Sequence, residues 1–109
     1  MKTEYEEVKK ELTAYLEGEI DHHSAVDIRS EIDMKIEKYM PKKLILDYGE
    51  VIFMDSSGIG LIMGRYRKMQ SVSGEIEVRN VLPKMYKVIK LSGIEKLGKV
   101  SVKDSGGSK

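Results

Sequence analysis

The sequence predicts a single α/β domain over residues 1–103, with a mixed sheet of four or five strands and helices packed mainly on one face. Segments in which apolar and polar residues alternate, typical of strands, are interleaved with segments whose apolar residues recur every three or four positions, typical of helices. Glycine or proline stands at several of the boundaries between them. The 109 residues also suit one domain with one core.

The first third of the chain is predicted to form two strands and a helix. An edge strand over residues 3–8 leads through a turn to an alternating strand over residues 12–16. Residues 18–23 are predicted to be a loop, and Ser24 is predicted to begin a capping box. The helix is expected to end before Pro41. Its apolar face is predicted to consist of Ala25, Ile28, Ile32, Ile36 and Tyr39.

The middle third contains the predicted centre of the sheet. Residues 44–46 form a continuous apolar run, typical of a central strand covered on both faces, and residues 51–54 lead out of the sheet. A second helix follows residues 55–57 and is expected to end near Gly74. A glycine inside a helix costs about 1 kcal/mol relative to alanine, so Gly64 predicts a close packing contact. The predicted apolar face is Ile59, Ile62, Met63, Tyr66 and Met69.

The last third is predicted to add two strands and one helix. Residues 76–78 alternate as in a strand, and residues 80–82 are predicted to be a loop. Pro83 suits the first position of a helix, and residues 97–102 suit a final strand. Residues 104–109 are polar and rich in glycine and serine, which predicts a flexible tail. The apolar face of the third helix is predicted to be Met85, Val88 and Ile89.

Composition excludes several classes of function. The net charge is +1 and the basic residues are spread along the chain, so the sequence predicts neither nucleic-acid binding nor attachment to an anionic membrane. No stretch approaches the ~20 apolar residues of a membrane span. Residues 1–7 are too acidic and polar for a signal peptide, and cysteine is absent, which together predict a cytoplasmic protein.

The most informative stretch is the turn that leaves the sheet and begins the second helix. It contains Asp55, Ser56 and Ser57, which are residue types that cap helices. The first helical turn also carries unpaired N–H groups and the positive end of the helix dipole. Gly58 and Gly60 would let a partner's backbone or a phosphate approach. A serine hydroxyl here is therefore either a phosphate acceptor on a rigid support or an ordinary helix cap.

No catalytic, cofactor or metal site is predicted. Gly58, Gly60 and Gly64 are wrongly spaced for a dinucleotide-binding loop. Met54 stands where the nucleophile elbow of a hydrolase requires glycine. His22 and His23 are the only histidines and are adjacent, so they do not project to one side as metal ligands four residues apart would.

Three segments of the sequence resemble landmarks of one protein family. Residues 54–60, Met-Asp-Ser-Ser-Gly-Ile-Gly, resemble the phosphorylation loop of the anti-sigma factor antagonists, which belong to the STAS (sulfate transporter and anti-sigma antagonist) class. Residues 18–25 and 91–94 resemble the second and third landmarks. The Asp-His-His form of residues 21–23 is most similar to the sporulation branch, the antagonists of the anti-sigma-F factor. The similarity covers the chain up to the tail.

This resemblance implies a STAS-like fold and a mechanism without catalysis by the chain itself. The unmodified protein would bind an anti-sigma factor that is also a serine kinase, and so free the sigma factor. The kinase would phosphorylate Ser56, or alternatively Ser57, and the phosphorylated protein would release its partner. A metal-dependent serine phosphatase would restore the unmodified form. The chain would need no cofactor.

The partner is expected to contact the first two of these landmarks, residues 54–60 and 18–25. If the two preceding strands are parallel neighbours, residues 19–22 leave the sheet at the same end as the serine turn, where acidic side chains could pair with basic ones. The residues expected to contact the partner are Glu19, Asp21, His22, Asp55, Ser57, Gly58, Ile59 and Gly60.

Three alternatives remain open from the sequence. They are a general stress-response antagonist of the same family, a small serine hydrolase that uses Ser56 or Ser57, and a ligand-binding domain of the transporter-associated kind.

Overall fold

Five strands and three α-helices alternate along the chain in a computed structural model that describes residues 1–103. The strands are β1 (Lys2–Glu6), β2 (Glu11–Ile20), β3 (Lys43–Met54), β4 (Glu75–Val81) and β5 (Lys99–Val102). The helices are α1 (His22–Tyr39), α2 (Ser56–Ser71) and α3 (Pro83–Ser92), with a short 3₁₀ helix at Ile94–Lys96. The predicted tail lies outside the described residues.

The strands lie in the sheet in the order in which they occur in the sequence, β1-β2-β3-β4-β5. β1 and β2 are antiparallel, and the other three neighbouring pairs are parallel. A helix connects each parallel pair, and right-handed connections between successive neighbours place all such helices on one face. The predicted mixed sheet with helices on one face is therefore confirmed, with five strands.

The core lies between this helical layer and one face of the sheet. Alternate residues of β3 point into it, so that Leu44, Leu46 and Tyr48 are fully buried. Burial of such a side chain contributes about 1.5–3 kcal/mol. The helices contribute Ile32 and Ile36 from α1, Leu61, Ile62 and Met69 from α2, and Met85 and Ile89 from α3.

Residues 44–46 are buried on both sides of this central strand, as predicted, although no helix within residues 1–103 covers the opposite face of the sheet. Ile45 is nevertheless buried, and the neighbouring polar groups are paired. Glu77 accepts hydrogen bonds from Lys43 Nζ at 3.2 Å and from Arg79 Nε at 3.1 Å. Burial opposes the charged form of Glu77, but these two bonds hold its pKa below the usual value.

Two ion pairs join α1 to α2. Arg65 is 5% exposed and its Nε lies 2.8 Å from Asp33 Oδ1, although the two groups are not aligned as a hydrogen bond. One turn further on, Lys68 Nζ lies 2.6 Å from Glu37 Oε2 at the surface. Both pairs bridge the two helices, the first at a largely buried position and the second at the surface.

Several predicted details differ from the structure. β1 ends at Glu6, and Val8 is 90% exposed in the turn that follows. Residues 80–81 belong to β4 rather than to a loop, and Val88 is 49% exposed rather than part of the core face of α3. The predicted close contact at Gly64 is wrong, because no atom of residues 1–103, apart from its chain neighbours and the backbone of α2, lies within 4 Å of where its Cβ would be.

None of the helices in residues 1–103 is both long enough and apolar enough to cross a membrane.

Candidate functional site

The first turn of α2 is capped by an aspartate rather than by a serine. Asp55 is the N-cap residue, and its Oδ1 accepts a hydrogen bond from the backbone N–H of Ser57 at 2.7 Å. Ser56 and Ser57 are the first two residues of the helix itself. The interpretation of either serine as an ordinary cap is therefore wrong.

The capping by Asp55 leaves the serine hydroxyls available. Ser56 is exposed and Ser57 is partly exposed. Within residues 1–103, neither hydroxyl donates or accepts a hydrogen bond, whereas the hydroxyls of Ser24, Ser71 and Ser92 all do. A phosphate on such a hydroxyl would lie beside the positive end of the α2 dipole.

The two glycines of this turn have different roles. A Cβ on Gly58 would lie 2.7 Å from Sδ and 2.9 Å from Cβ of Met54, so glycine is needed for α2 to begin directly against β3. In the described part of the chain, nothing but its chain neighbours and the backbone of α2 lies within 4 Å of where a Cβ of Gly60 would be, and this residue is exposed. Gly60 therefore leaves open space on the surface of α2.

The start of α1 differs from the prediction. β2 continues through Gly18 to Ile20, and α1 begins at His22, so the predicted loop over residues 18–23 is wrong. The N-cap is Asp21, three residues before the predicted cap at Ser24. A capping box had been expected at this helix, but its members differ from those that the sequence suggested.

The capping box is reciprocal. Asp21 Oδ1 accepts hydrogen bonds from the backbone N–H groups of His23 and Ser24, each at 2.9 Å, and Ser24 Oγ accepts one from the backbone N–H of Asp21 at 3.0 Å. The hydrogen bond donated by the Ser24 N–H is the main reason why the pKa of Asp21 is lower than its usual value. Sequence reasoning missed this box because serine occupies the position where glutamate or glutamine is usual.

The starts of α1 and α2 lie side by side. Ile20 and Met54 are register partners at the ends of the parallel strands β2 and β3, and the backbone N–H of Asp55 donates to the carbonyl of Ile20 at 3.1 Å. The expectation that the two landmark segments leave the sheet at the same end is confirmed. The structure thus brings together Glu19, Asp21, His22, Asp55, Ser57 and Gly60.

A cleft of about 280 Å³ lies between these two helix starts. Val26 and Arg29 line the cleft although neither was among the predicted contact residues. They follow His22 at the spacing of one helix face, which is the signal that could have identified them. The cleft is lined by His22, Ala25, Val26 and Arg29 from α1 and by Ser57, Gly60 and Leu61 from α2.

Two of the predicted contact residues have structural roles. Ile59 is partly buried and packs against the core, and Gly58 is buried against Met54. The part of the chain that the structure describes has no group of three or more histidine, aspartate and glutamate side chains placed to hold a metal ion.

Comparison with protein families and known proteins gives consistent results. The model of the STAS domain family matches residues 2–104. The chain is 33% identical, over 97 residues, to the anti-sigma F factor antagonist of Paenibacillus polymyxa, a match that covers 89% of this chain and 83% of that protein.

Two solved structures are also similar. One is the anti-sigma factor antagonist SpoIIAA in its unphosphorylated form, with a TM-score of 0.70 and 30% identity over 94% of this chain and 90% of that one. The other is the Bacillus cell fate determinant SpoIIAA in the phosphorylated form, with a TM-score of 0.69 and 32% identity over 93% of this chain and 92% of that one.

Proposed function

The chain belongs to the STAS domain family as an anti-sigma factor antagonist of the anti-sigma-F type, and we propose that phosphorylation of Ser56 switches its binding to its partner. As a member of this family it is a regulatory binding protein rather than an enzyme. The observation that carries the proposed switch is the exposed hydroxyl of Ser56, which has no hydrogen bond within residues 1–103 because Asp55 caps the helix.

A phosphate on Ser56 is compatible with the fold. It adds about −1.5 to −2 charges at neutral pH, and the N-terminus of α2 stabilises that charge. The modification would displace no side chain from a hydrogen bond in the described part of the chain, and the Asp55 cap would remain. The greater exposure of Ser56 favours it over Ser57 as the acceptor.

The unmodified surface around Ser56 suits a protein partner. It combines the exposed carboxylates of Glu19 and Asp55 with the cleft between α1 and α2, in which His22 and Gly60 lie next to Ser57. We assign this surface to an anti-sigma factor, whose sequestered sigma factor is released when the antagonist binds. A dianion placed inside such a contact would need desolvation and space, and so would favour release.

The switch requires two enzymes. The anti-sigma factor, as a serine kinase, transfers the γ-phosphoryl group of ATP to Ser56 Oγ and releases ADP, while the serine proton passes to solvent. A metal-dependent serine phosphatase hydrolyses the phosphate ester and restores the hydroxyl. A solved Bacillus relative in a phosphorylated form supports this cycle. We propose that this cycle takes place in the cytoplasm, where transcription also takes place.

Three variants test the proposal by their affinity for the anti-sigma F factor of the same organism. Ser56→Asp is expected to lose most of the affinity while its circular dichroism spectrum stays unchanged, because only the contact surface is altered. Ser56→Ala is expected to bind but to accept no phosphate from the kinase. Ser30→Asp, at an exposed serine in the middle of α1, is the control and should bind as the wild type does. Loss of the fold in Ser56→Asp, or its full affinity, would contradict the switch.

A further inference from the structure

We propose, on the basis of the proposed function, that the partner also contacts a second surface. This surface lies on the face of the sheet that no described helix covers. This acidic–apolar surface consists of Ile52 and Phe53 of β3 together with Glu17, Glu19 and Glu50 around them. It fits a protein surface that offers an apolar pocket flanked by basic side chains. We assign the acidic–apolar surface to the anti-sigma factor.

Two consecutive large apolar side chains are exposed at the end of β3. Ile52 is 58% exposed and Phe53 is 49% exposed, whereas Ile45, earlier in the same strand, is only 2% exposed. Phe53 is also the single phenylalanine of the chain. Exposed aromatic side chains that become buried on binding are typical anchors of protein interfaces.

The backbone of β3 is irregular where these side chains lie. Gly18 pairs with Val51 but Glu19 pairs with Phe53, so that Ile52 has no partner residue in β2. Such a bulge interrupts the ladder and redirects side chains, and bulges are over-represented beside functional sites. A regular strand would have kept the alternation by which one of two successive side chains enters the core. The bulge is therefore part of what exposes both residues.

The carboxylates around the two apolar residues form no ion pairs within the described chain. Glu17 and Glu50 are register partners on neighbouring strands, an arrangement in which like charges repel. Glu17, Glu19 and Glu50 are all exposed, and among residues 1–103 none of them forms an ion pair. Elsewhere on this face the carboxylate of Glu77 is paired with two basic groups. These exposed and unpaired carboxylates are therefore available to basic groups of another molecule.

The acidic–apolar surface is continuous with the serine turn. Phe53 precedes Ser56 by three residues, and Glu19, its register partner, is two residues from the α1 cap Asp21. A protein that covers Ser56 and the adjacent helix starts can reach this surface without bridging a gap. The continuity favours the partner of the serine turn over an unrelated one.

The apolar part is tested with Phe53→Ser and Ile52→Ser, measured by the dissociation constant for the anti-sigma F factor of the same organism. Each is expected to weaken binding at least about tenfold, as anchors do. Leu91→Ser is the matched control, because Leu91 is 88% exposed on α3 and should give unchanged binding. Circular dichroism of all three variants shows whether each remains folded.

The acidic part is tested with Glu50→Lys, which replaces a repelling pair with an attracting one opposite Glu17. The thermal midpoint of the free protein is expected to rise or stay level, while association with the partner slows and depends less on salt. Glu7→Lys is the control, since it makes the same charge change in the exposed turn at the other end of β2. A gain in stability together with a loss of affinity would not follow from a purely structural role.

The outcomes separate this proposal from the function on which it rests. If Ser56→Asp loses binding while Phe53→Ser, Ile52→Ser and Glu50→Lys bind as the controls do, the acidic–apolar surface is refuted and the phosphorylation switch stands. If the wild type does not bind, or Ser56→Asp binds equally well, the proposed function itself fails. Weaker binding of Phe53→Ser, Ile52→Ser and Glu50→Lys, together with unchanged binding of Leu91→Ser and Glu7→Lys, supports the proposed surface.

Discussion

Asp55 and Ser56 carry out two separate tasks at the start of α2. The carboxylate of Asp55 satisfies the backbone N–H of Ser57 at 2.7 Å, so the helix does not depend on a serine for its cap. The hydroxyl of Ser56 is consequently exposed and without a hydrogen bond in the described residues. A modification of Ser56 can then change the surface without removing a contact that the fold needs.

The cap can be tested through stability. Replacement of Asp55 by alanine removes the acceptor for the Ser57 N–H and is expected to lower the free energy of unfolding by about 1 kcal/mol. Asp55→Asn, which can still cap the helix, should be nearly as stable as the wild type. Urea denaturation of the three proteins measures the difference. Equal losses in the alanine and asparagine variants would show that charge, and not capping, is what Asp55 supplies.

Gly60 and Gly64 offer a second test at single residues. At neither position would a Cβ meet a described atom within 4 Å beyond its chain neighbours and the backbone of α2, and neither glycine has a positive φ. Alanine at each is therefore expected to stabilise α2 by up to about 1 kcal/mol. Only Gly60 lines the cleft beside Ser57, so only Gly60→Ala should also weaken partner binding.

Thermal unfolding and a binding titration of both variants measure these effects. Stabilisation of both, with weaker binding in Gly60→Ala alone, is the expected result. Unchanged binding in Gly60→Ala would remove the cleft from the partner contact.

At the scale of elements, the relative placement of α1 and α2 decides the shape of the site. The buried guanidinium of Arg65 meets the partly exposed carboxylate of Asp33, and burial lowers the pKa of Arg65 although Asp33 opposes this. Arg65 Nη1 is also buried without a hydrogen bond in the described residues. Among residues 1–103, Asp33 is thus the only acidic group within ion-pair distance of this charge in the α1–α2 contact.

The ion pair is expected to be far more sensitive to loss of one member than to loss of both. Asp33→Ala leaves Arg65 buried without its partner, which should destabilise the protein by about 2–4 kcal/mol, somewhat less than a fully buried pair because Asp33 is partly exposed. The double variant Asp33→Ala/Arg65→Met should recover much of that loss.

Glu37→Ala provides the control in the neighbouring surface pair and should cost less than about 1 kcal/mol. Urea denaturation of the four proteins completes the comparison. Additive losses in the double variant would show that the two side chains do not act as a pair.

Local sequence patterns predicted the helices and strands more accurately than the contacts between them. The apolar residues of α1 and α2 recur at helical spacing, and both helices were therefore predicted. Burial of Arg65 could not be read from that pattern, since it depends on Asp33, which is 32 positions earlier and in another helix. The early start of α1 was missed for a related reason, because Asp21 and Ser24 are both capable caps and only the backbone geometry distinguishes them.

At the scale of the molecule, the sheet order brings the two helix starts together. Parallel neighbours have their carboxyl ends at the same edge, so once β2 and β3 are adjacent, Asp21 and Asp55 must lie near each other. This part of the site followed from the sequence and the resemblance. The exposure of Ile52 and Phe53 did not, because it depends on register shifts between two strands that local alternation does not reveal.

The most direct test combines phosphorylation with binding. The protein is incubated with the anti-sigma F factor of the same organism and ATP, the phosphate is located by tandem mass spectrometry, and the affinity of the purified phosphorylated form is measured before and after treatment with a serine phosphatase. We expect one phosphate, on Ser56, a large loss of affinity, and full recovery after dephosphorylation. A phosphate outside the serine turn, or a phosphorylated form that binds as tightly as the unmodified one, would contradict the switch.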